Sequence, residues 1–182
     1  GIESAELVFD NCYVPAQNLI GGVEGMGFKQ VMGGLELGRI NVAARGVGLA
    51  SAALKDSVAY SQVRKTMGKP ICQHQAIQLK LGDMATRVEA ARLLIWRAAQ
   101  NAAAGLPSIL DSSLAKCFAN EMVRDVVGAA MQVMGAYGYS KEFDMERRMR
   151  DGWGWGIAGG AIDIQKINIA SALVGRRFNQ RG

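Results

Sequence analysis

The chain has 182 residues, a length that is typical of one domain and is sufficient to bury a hydrophobic core. Its formal net charge is +5, but the Lys and Arg residues are spread along the chain and mixed with acidic residues. This distribution is typical of a solvated surface and argues against a nucleic-acid-binding arm. No apolar run reaches the roughly 20 residues of a membrane-spanning helix, so no membrane association is predicted.

The cysteines argue against a metal centre. Cys12, Cys72 and Cys117 lie far apart, and the single histidine, His74, cannot complete a ligand set with them. No metal site is therefore predicted. Scattered cysteines in odd number are typical of a reducing compartment, and no signal-peptide pattern opens the chain, so a cytoplasmic location is expected. The first residue is Gly1, which suggests a fragment or a processed chain.

The first stretch of the chain has the pattern of a strand. Apolar and polar residues alternate over residues 4–14, and Pro15 would end the strand because proline cannot donate a ladder hydrogen bond. A single strand needs a sheet, and no other good strand follows. The pattern therefore predicts a strand left over from a preceding β-domain that this sequence lacks.

The rest of the chain is predicted to be helical, because alanine, leucine and methionine dominate and proline is almost absent. Apolar residues recur at helical spacing in four stretches, about 28–62, 74–104, 108–135 and 160–178. The residues predicted to face inward include Ile40, Ala43, Val47, Met84, Val88, Leu114, Phe118, Met122, Ile164, Ile167 and Leu173. Four long helices with short connections predict an all-α, antiparallel up-and-down four-helix bundle.

Glycines mark two places for close packing. The first helix contains Gly33, Gly34, Gly38, Gly46 and Gly48, each of which costs roughly 1 kcal/mol relative to alanine. We expect this helix to pack closely against another helix or a flat ligand. The second place is the stretch 132–139, where two glycines let the backbone bend beside two tyrosines. A plain helix end followed by a loop is the alternative interpretation.

Five motifs, in order, carry a family resemblance. They are GLELGR at 34–39, RKTMGKP at 64–70 followed by HQ, QVMGAYGY at 132–139, RD at 150–151, and DIQ at 163–165. Each is weak alone, but their order and spacing strongly resemble the C-terminal half of acyl-CoA dehydrogenases. The resemblance implies that residues 1–20 end the family's middle β-domain and that residues 21–182 form its C-terminal helical bundle.

The resemblance also implies an activity. Such enzymes are FAD-dependent oxidoreductases of fatty acid metabolism, in which an α-proton leaves an acyl-CoA thioester while the flavin accepts a hydride from the β-carbon. An acyl-CoA substrate and a homodimer or homotetramer are expected, with a second acyl-CoA dehydrogenase-like subunit as an alternative partner. The isolated chain is expected to be inactive.

By resemblance, FAD would be held at three places. Arg64 would supply a cation for the pyrophosphate, with Thr66 nearby, and His74 and Gln75 would contact the AMP half. A further set, Gln132, Gly135 and Ala136, would contact the same FAD across a subunit boundary, while Ala161 and Asp163 match flavin-contact positions. Three departures from the family pattern stand out: Ala136 replaces a glycine, Met67 an aromatic residue and Ala161 a threonine.

Substrate contacts are implied at Glu36 and Arg39, which match positions that meet the CoA arm, and at Gly160. Glu36 and Arg39 are three residues apart and share one side of the helix, so a simple surface ion pair is the alternative.

This chain differs from the family pattern at the positions of the catalytic base. In the family a glutamate occupies one of two positions, which are Gly159 and Gly38 in this chain. Glycine cannot take a proton, so no catalytic residue is assigned. Glu36 and Asp163 are the candidate replacements, although Glu36 lies about 200° around the helix from Gly38.

Three hypotheses about the whole protein follow from the missing base. The first is a dehydrogenase whose base comes from elsewhere, and the second is a base-free subunit that binds flavin or CoA in a heteromeric dehydrogenase. The third is a related flavin monooxygenase, because oxygen chemistry on a flavin needs no such glutamate.

Overall fold

The computed structural model describes residues 4–102 and 105–178. These residues contain six α-helices and one two-stranded sheet. The helices are α1 (Gly27–Val63), α2 (Gln75–Asn101), α3 (Ile109–Met134), α4 (Ala136–Tyr139), α5 (Met145–Trp155) and α6 (Ile162–Val174). The strands β1 (Lys65–Thr66) and β2 (Lys69–Pro70) form an antiparallel hairpin between α1 and α2. None of the helices in these ranges is long and apolar enough to cross a membrane.

The bundle is built around α3, which packs against α1, α2, α5 and α6. Small and medium apolar residues fill the core between α1, α2 and α3, among them Ala43, Ala50, Met84, Val88, Ala119, Met122, Val123 and Val126. The abundance of alanine allows the helices to approach closely, and burial of this apolar surface stabilises the fold. The predicted all-α helical bundle is confirmed.

The ends of α3 follow from local sequence. Ser108 is the N-cap residue, and its Oγ accepts a hydrogen bond of 3.0 Å from the backbone N–H of Asp111. Gly135 ends the helix with φ of 60°, a conformation that favours glycine. A Cβ on Gly138 would lie 3.0 Å from the carbonyl oxygen of Met131, so this glycine permits a tight return of the chain. The close approach predicted for residues 132–139 is therefore present.

Two sequence-based expectations about elements are wrong. Residues 4–14 contain no strand, because no second strand lies beside them in the described part of the chain to accept ladder hydrogen bonds. The second expectation is the absence of a helix between the predicted stretches 108–135 and 160–178, where the structure has the glycine-containing helix α5. Alternating glycine hides its periodicity, but α5 packs against α3 and α1, and this tertiary contact offsets the low helix propensity of glycine.

Several residues predicted to face inward are exposed. Phe118 is 38% exposed, and Ile164, Ile167 and Leu173 lie on the outer side of α6 with exposed fractions of 47%, 38% and 75%. The side of α3 that faces α1 and α6 is polar instead, with Ser112, Ser113, Lys116 and Asn120 buried. Apolar character alone therefore misplaces the buried side of α3 near its N-terminus.

Only some of the glycines of α1 are needed for packing. A Cβ on Gly46 would lie 3.0 Å from Asn120 Oδ1 and 3.5 Å from the carbonyl oxygen of Ala119 on α3. A Cβ on Gly48, two residues later, would meet nothing within 4 Å. The expected close helix packing is thus found at Gly46 and not at Gly48.

This difference gives a matched pair of variants. Gly46→Val is expected to lower the free energy of unfolding by roughly 1–3 kcal/mol, because the larger side chain overpacks the α1–α3 contact. Gly48→Val, on the same helix and facing open space, is expected to be neutral or slightly stabilising. Urea unfolding monitored by circular dichroism measures both values. Equal effects of the two substitutions would contradict the close contact at Gly46.

Candidate functional site

A cavity of about 540 Å³ lies where the end of α1, the β1–β2 hairpin, the start of α2 and the α3–α4 corner meet. Five of the residues predicted to bind FAD line it: Arg64, Thr66, His74, Gly135 and Ala136. Its remaining walls are mostly apolar and aromatic, from Tyr60, Met67, Ile71, Ala76, Ile77, Val133, Met134 and Tyr137. Residues that are up to 77 positions apart in sequence therefore share one concave surface.

The hairpin sets the position of the polar residues. Met67 and Gly68 have positive φ values of 50° and 78° and form its two-residue turn. The backbone N–H of Ile71 donates to the Arg64 carbonyl oxygen over 2.8 Å, which closes the hairpin against the end of α1. Thr66 Oγ1 and His74 Nε2 lie 3.1 Å apart and hydrogen-bond each other. Arg64, Thr66 and His74 thus face the cavity together.

The chemistry of this cavity fits the phosphate and adenosine half of FAD. The Arg64 side chain is exposed and has no carboxylate partner among the described residues, so it is free to bind an anion. A Cβ on Gly135 would meet nothing within 4 Å, so open space surrounds the backbone there. The apolar walls suit a flat ring, whereas the polar atoms suit phosphate or ribose oxygens.

Four other residues predicted to bind FAD lie outside this cavity. Gln75 is the exposed first residue of α2, and Gln132 is exposed on the last turn of α3. Ala161 caps the N-terminus of α6, and Asp163 is exposed in its first turn. The N-terminus of α6 packs beside Lys116, about 27 Å along α3 from Met134 at a rise of about 1.5 Å per residue. Two groups of predicted FAD ligands therefore lie at opposite ends of α3.

The predicted substrate residues on α1 form a buried ion pair. Arg39 Nη1 donates to both carboxylate oxygens of Glu36 at 2.6 Å, and Ser112 Oγ donates to Glu36 Oε2 at 2.8 Å. Arg39 is only 6% exposed, and its Nε has no hydrogen-bond partner within the described ranges. The pair therefore belongs to the α1–α3 contact and is more than a surface pair. It also lines a second cavity of about 410 Å³ between α1 and α6.

Gly159, one of the two positions that the resemblance assigns to a base, lies beside the turn of α1 that follows the other, Gly38. Val42 follows Gly38 by one turn of α1, and its Cγ2 would lie 3.4 Å from a Cβ on Gly159. A Cβ on Gly38 would meet nothing within 4 Å. Gly159 and Gly160 have φ values of 66° and 92°, in the left-handed region that favours glycine. Position 38 therefore has room for a side chain, whereas position 159 accepts one only with backbone strain.

The geometry argues against Glu36 as a replacement base. Both of its carboxylate oxygens accept hydrogen bonds from Arg39, and one also accepts from Ser112. These contacts hold the Glu36 carboxylate against Arg39 and Ser112. Asp163 remains solvent-exposed at the start of α6.

Sequence reasoning missed Lys116, which lies fully buried beside the glycine positions. Its Nζ donates a hydrogen bond to the Gly160 carbonyl oxygen, and its Cε would lie 3.7 Å from a Cβ on Gly159. Burial, and secondly the charge of Arg39, lowers the pKa of Lys116 from 10.5 to about 8. A signal was present in the sequence, because Lys116 falls on the same helix side as Ser112 and Asn120, between apolar residues.

The comparisons agree with this geometry. Residues 25–174 match the family model described as "Acyl-CoA dehydrogenase, C-terminal domain". The short-chain specific acyl-CoA dehydrogenase of Megasphaera elsdenii is 42% identical over 172 residues, which are 94% of this chain and 45% of that protein. An acryloyl-CoA reductase (NADH) of Anaerotignum propionicum is 43% identical over 176 residues, 97% of this chain and 44% of that protein.

A solved structure shows the same fold. The butyryl-CoA dehydrogenase of Megasphaera elsdenii superimposes with a TM-score of 0.81 and 42% sequence identity, over 84% of this chain and 40% of that chain. The chain thus spans less than half the length of the relatives that it matches.

Proposed function

The chain belongs to the acyl-CoA dehydrogenase family, and we propose that it forms the C-terminal part of an FAD-dependent oxidoreductase that acts on acyl-CoA thioesters. Enzymes of this family depend on FAD, bind acyl-CoA and are oligomeric. FAD, when bound, accepts the hydride that leaves the β-carbon of the acyl group. The protein residues bind and orient the substrate and the cofactor.

The observation that carries the proposal is the cavity of about 540 Å³ at the α1–α2 end of the bundle. It collects the unpaired guanidinium of Arg64, the hydrogen-bonded pair of Thr66 and His74, and the sharply turned backbone at Gly135. A cation, a hydroxyl, an imidazole and exposed backbone beside apolar walls suit a phosphate-linked adenosine. This donor set supports Arg64 as the residue that binds the FAD pyrophosphate.

The separation of the two predicted ligand groups supports a second copy of the chain as the partner. Arg64 and Gly135 line a cavity at one end of α3, whereas Ala161 and Asp163 lie near its other end. One FAD contacting both groups within one chain would have to extend along most of α3. Two copies would instead let each FAD contact one group from each subunit. A homodimer or homotetramer is therefore proposed.

The acyl-CoA is proposed to bind between α1 and the C-terminal half of α6. Glu36 and Arg39 line the cavity of about 410 Å³ between α1 and α6, together with Arg176 and Arg177. Arg176 and Arg177 are exposed, and such cations suit the phosphates of CoA. The buried Glu36–Arg39 pair fixes the wall of this cavity and leaves Arg39 Nε free to donate.

A second candidate function is a base-free subunit that binds FAD and acyl-CoA inside a heteromeric dehydrogenase. Proton removal needs a base within about 2.6–3.2 Å of the proton or one water away. Both family positions for that base are glycine here, and the Glu36 carboxylate is engaged by Arg39 and Ser112. These observations favour a subunit that has no base of its own at the family's positions.

The test of the proposed function is FAD binding by the full-length protein. Arg64→Gln is expected to weaken FAD binding by about 10- to 100-fold, the effect of losing one charged hydrogen bond. Lys55→Gln, an exposed cation on α1 outside the cavity, is the matched control and is expected to change nothing. Flavin fluorescence titration of the apoprotein measures the dissociation constants. Equal FAD affinity in wild type and Arg64→Gln would refute this FAD site.

A further inference from the structure

Three side chains on one side of α3 donate hydrogen bonds to the backbone of the last turn of α5 and of the connection from α5 to α6. Lys116 Nζ donates to the Gly160 carbonyl oxygen, Asn120 Nδ2 donates to that of Trp155 at 3.0 Å, and Arg124 Nη2 donates to that of Trp153 at 3.5 Å. The three donors are spaced four residues apart and therefore lie above one another. We call Lys116, Asn120 and Arg124 the donor stripe of α3.

The segment that the donor stripe contacts cannot hold one conformation by its own propensity. Five of the nine residues from 152 to 160 are glycines. Glycine loses more backbone freedom on ordering than any other residue. Gln165 on α6 adds a hydrogen bond of 3.1 Å to the Gly160 carbonyl oxygen, so this carbonyl accepts from two buried side chains. Tertiary hydrogen bonds therefore order a segment that local sequence would leave variable.

Lys116 is a costly choice for a packing role alone. Its side chain is fully buried, and the Gly160 carbonyl oxygen is its one hydrogen-bond partner among the described residues. Burying an ammonium group with one partner is unfavourable, and an apolar side chain of similar length would fill the same space more favourably. Compared with an apolar side chain, Lys116 adds one hydrogen-bond donor, which holds the carbonyl group of Gly160 next to Gly159.

We propose that the donor stripe positions residues 153–160 for acyl-CoA binding, with Lys116 as the positioning residue for the backbone at Gly159 and Gly160. This inference rests on the proposed function and adds that the bound acyl-CoA extends from the cavity beside Glu36 and Arg39 to these glycines, which precede α6. It assigns a role to α3 side chains that do not themselves touch the FAD cavity. Loss of the Lys116 donor therefore weakens acyl-CoA binding and leaves intact the FAD contacts of the cavity at Arg64, which lies near the other end of α3.

The test uses the full-length holoprotein and three substitutions. Lys116→Met keeps the length of the side chain and removes the donor, whereas Lys116→Arg retains a donor and is the conservative rescue. Lys80→Met, an exposed lysine on α2, is the control. Amide hydrogen exchange of residues 153–160, FAD content and the affinity for butyryl-CoA are measured for each. Arg124→Met is the second variant; it removes the donor to the Trp153 carbonyl oxygen and the cation–π contact of the half-buried Arg124 with the Trp153 ring.

We expect at least about 10-fold faster exchange of residues 153–160 and about 10-fold weaker butyryl-CoA binding in Lys116→Met, as for loss of one charged hydrogen bond. FAD content should stay at the wild-type level, and Lys116→Arg should recover most of the affinity. Arg124→Met should speed exchange only near residue 153. Unchanged exchange in Lys116→Met and Arg124→Met would overturn the proposal.

Two further outcomes distinguish the positioning role of Lys116 from a role in folding alone and from a failure of the proposed function. Parallel loss of FAD, butyryl-CoA binding and thermal stability in Lys116→Met would show a role in folding alone and would also overturn the proposal. Wild-type protein that binds no butyryl-CoA would refute the proposed function and, with it, the positioning role in acyl-CoA binding. The exchange rates in that case still decide whether Lys116 orders the segment.

Discussion

Gly38→Glu is expected to raise the rate of α,β-dehydrogenation of an acyl-CoA by about 10²- to 10⁴-fold in the full-length protein, the usual contribution of a general base. Position 38 is inside α1 and has nothing within 4 Å of a Cβ, so a glutamate fits without displacing a neighbour. Replacing a helical glycine by glutamate also raises helix propensity by roughly 0.5–1 kcal/mol. The rate is measured with an artificial electron acceptor over one panel of acyl-CoA substrates.

Gly159→Glu is expected to be the poorer of the two restored bases. Its φ of 66° places any side chain in a strained backbone conformation, which costs on the order of 1–3 kcal/mol. We therefore expect Gly159→Glu to yield less folded protein than Gly38→Glu and to raise the rate of α,β-dehydrogenation by a smaller factor. A larger gain for Gly159→Glu would show that residues 156–161 rearrange to accept the side chain.

Two controls make the restored-base experiment decisive. Gly38→Gln has the same size as Gly38→Glu but cannot take the proton, so equal rates for both would exclude base catalysis from position 38. Glu36→Gln tests the alternative acceptor on α1. High wild-type activity that is lost in Glu36→Gln would place the base at Glu36, in spite of its hydrogen bonds to Arg39 and Ser112.

The second large effect is a dependence of stability on pH that comes from Lys116. Burial, with the charge of Arg39 as the next cause, lowers the pKa of Lys116 to about 8 in the native state, against 10.5 as its usual value. Between these two values the unfolded state binds one more proton than the native state, so the free energy of unfolding rises with pH. The rise is fully present above pH 10.5 and absent below about pH 8.

This dependence is measured as a difference between variants. The measured quantity is the free energy of unfolding of wild type minus that of Lys116→Met. We expect this difference to rise by up to about 3 kcal/mol between pH 8 and pH 10.5, because each unit of pKa shift corresponds to about 1.36 kcal/mol. Other titrating groups, including the ion pair of Lys166 and Glu121, are common to both proteins and cancel. Lys80→Met, an exposed control, should show no such difference from wild type. A difference between wild type and Lys116→Met that does not vary with pH would contradict the lowered pKa.

The sequence by itself determined the three longest helices, the family and several residues that line the cavity of about 540 Å³. The periodic apolar residues predicted α1, α2 and α3 to within a few residues, because their pattern matches one turn of a helix. The motifs at 64–70 and 132–139 indicated Arg64 and Gly135 before any geometry was known. Such features depend on residues that are neighbours in the chain or one turn apart, and a linear pattern records them.

The tertiary structure alone decided the surroundings of the glycine positions. The helix α5 forms from a glycine-rich stretch because it packs against α3, and the buried side of α3 near Lys116 is polar because it binds the backbone between α5 and α6. The approach of Val42 to Gly159 joins residues that are 117 positions apart. The packing and hydrogen-bond energies that stabilise these features come from contacts between segments that are distant in the sequence. Local helix propensity and apolar periodicity therefore do not predict them.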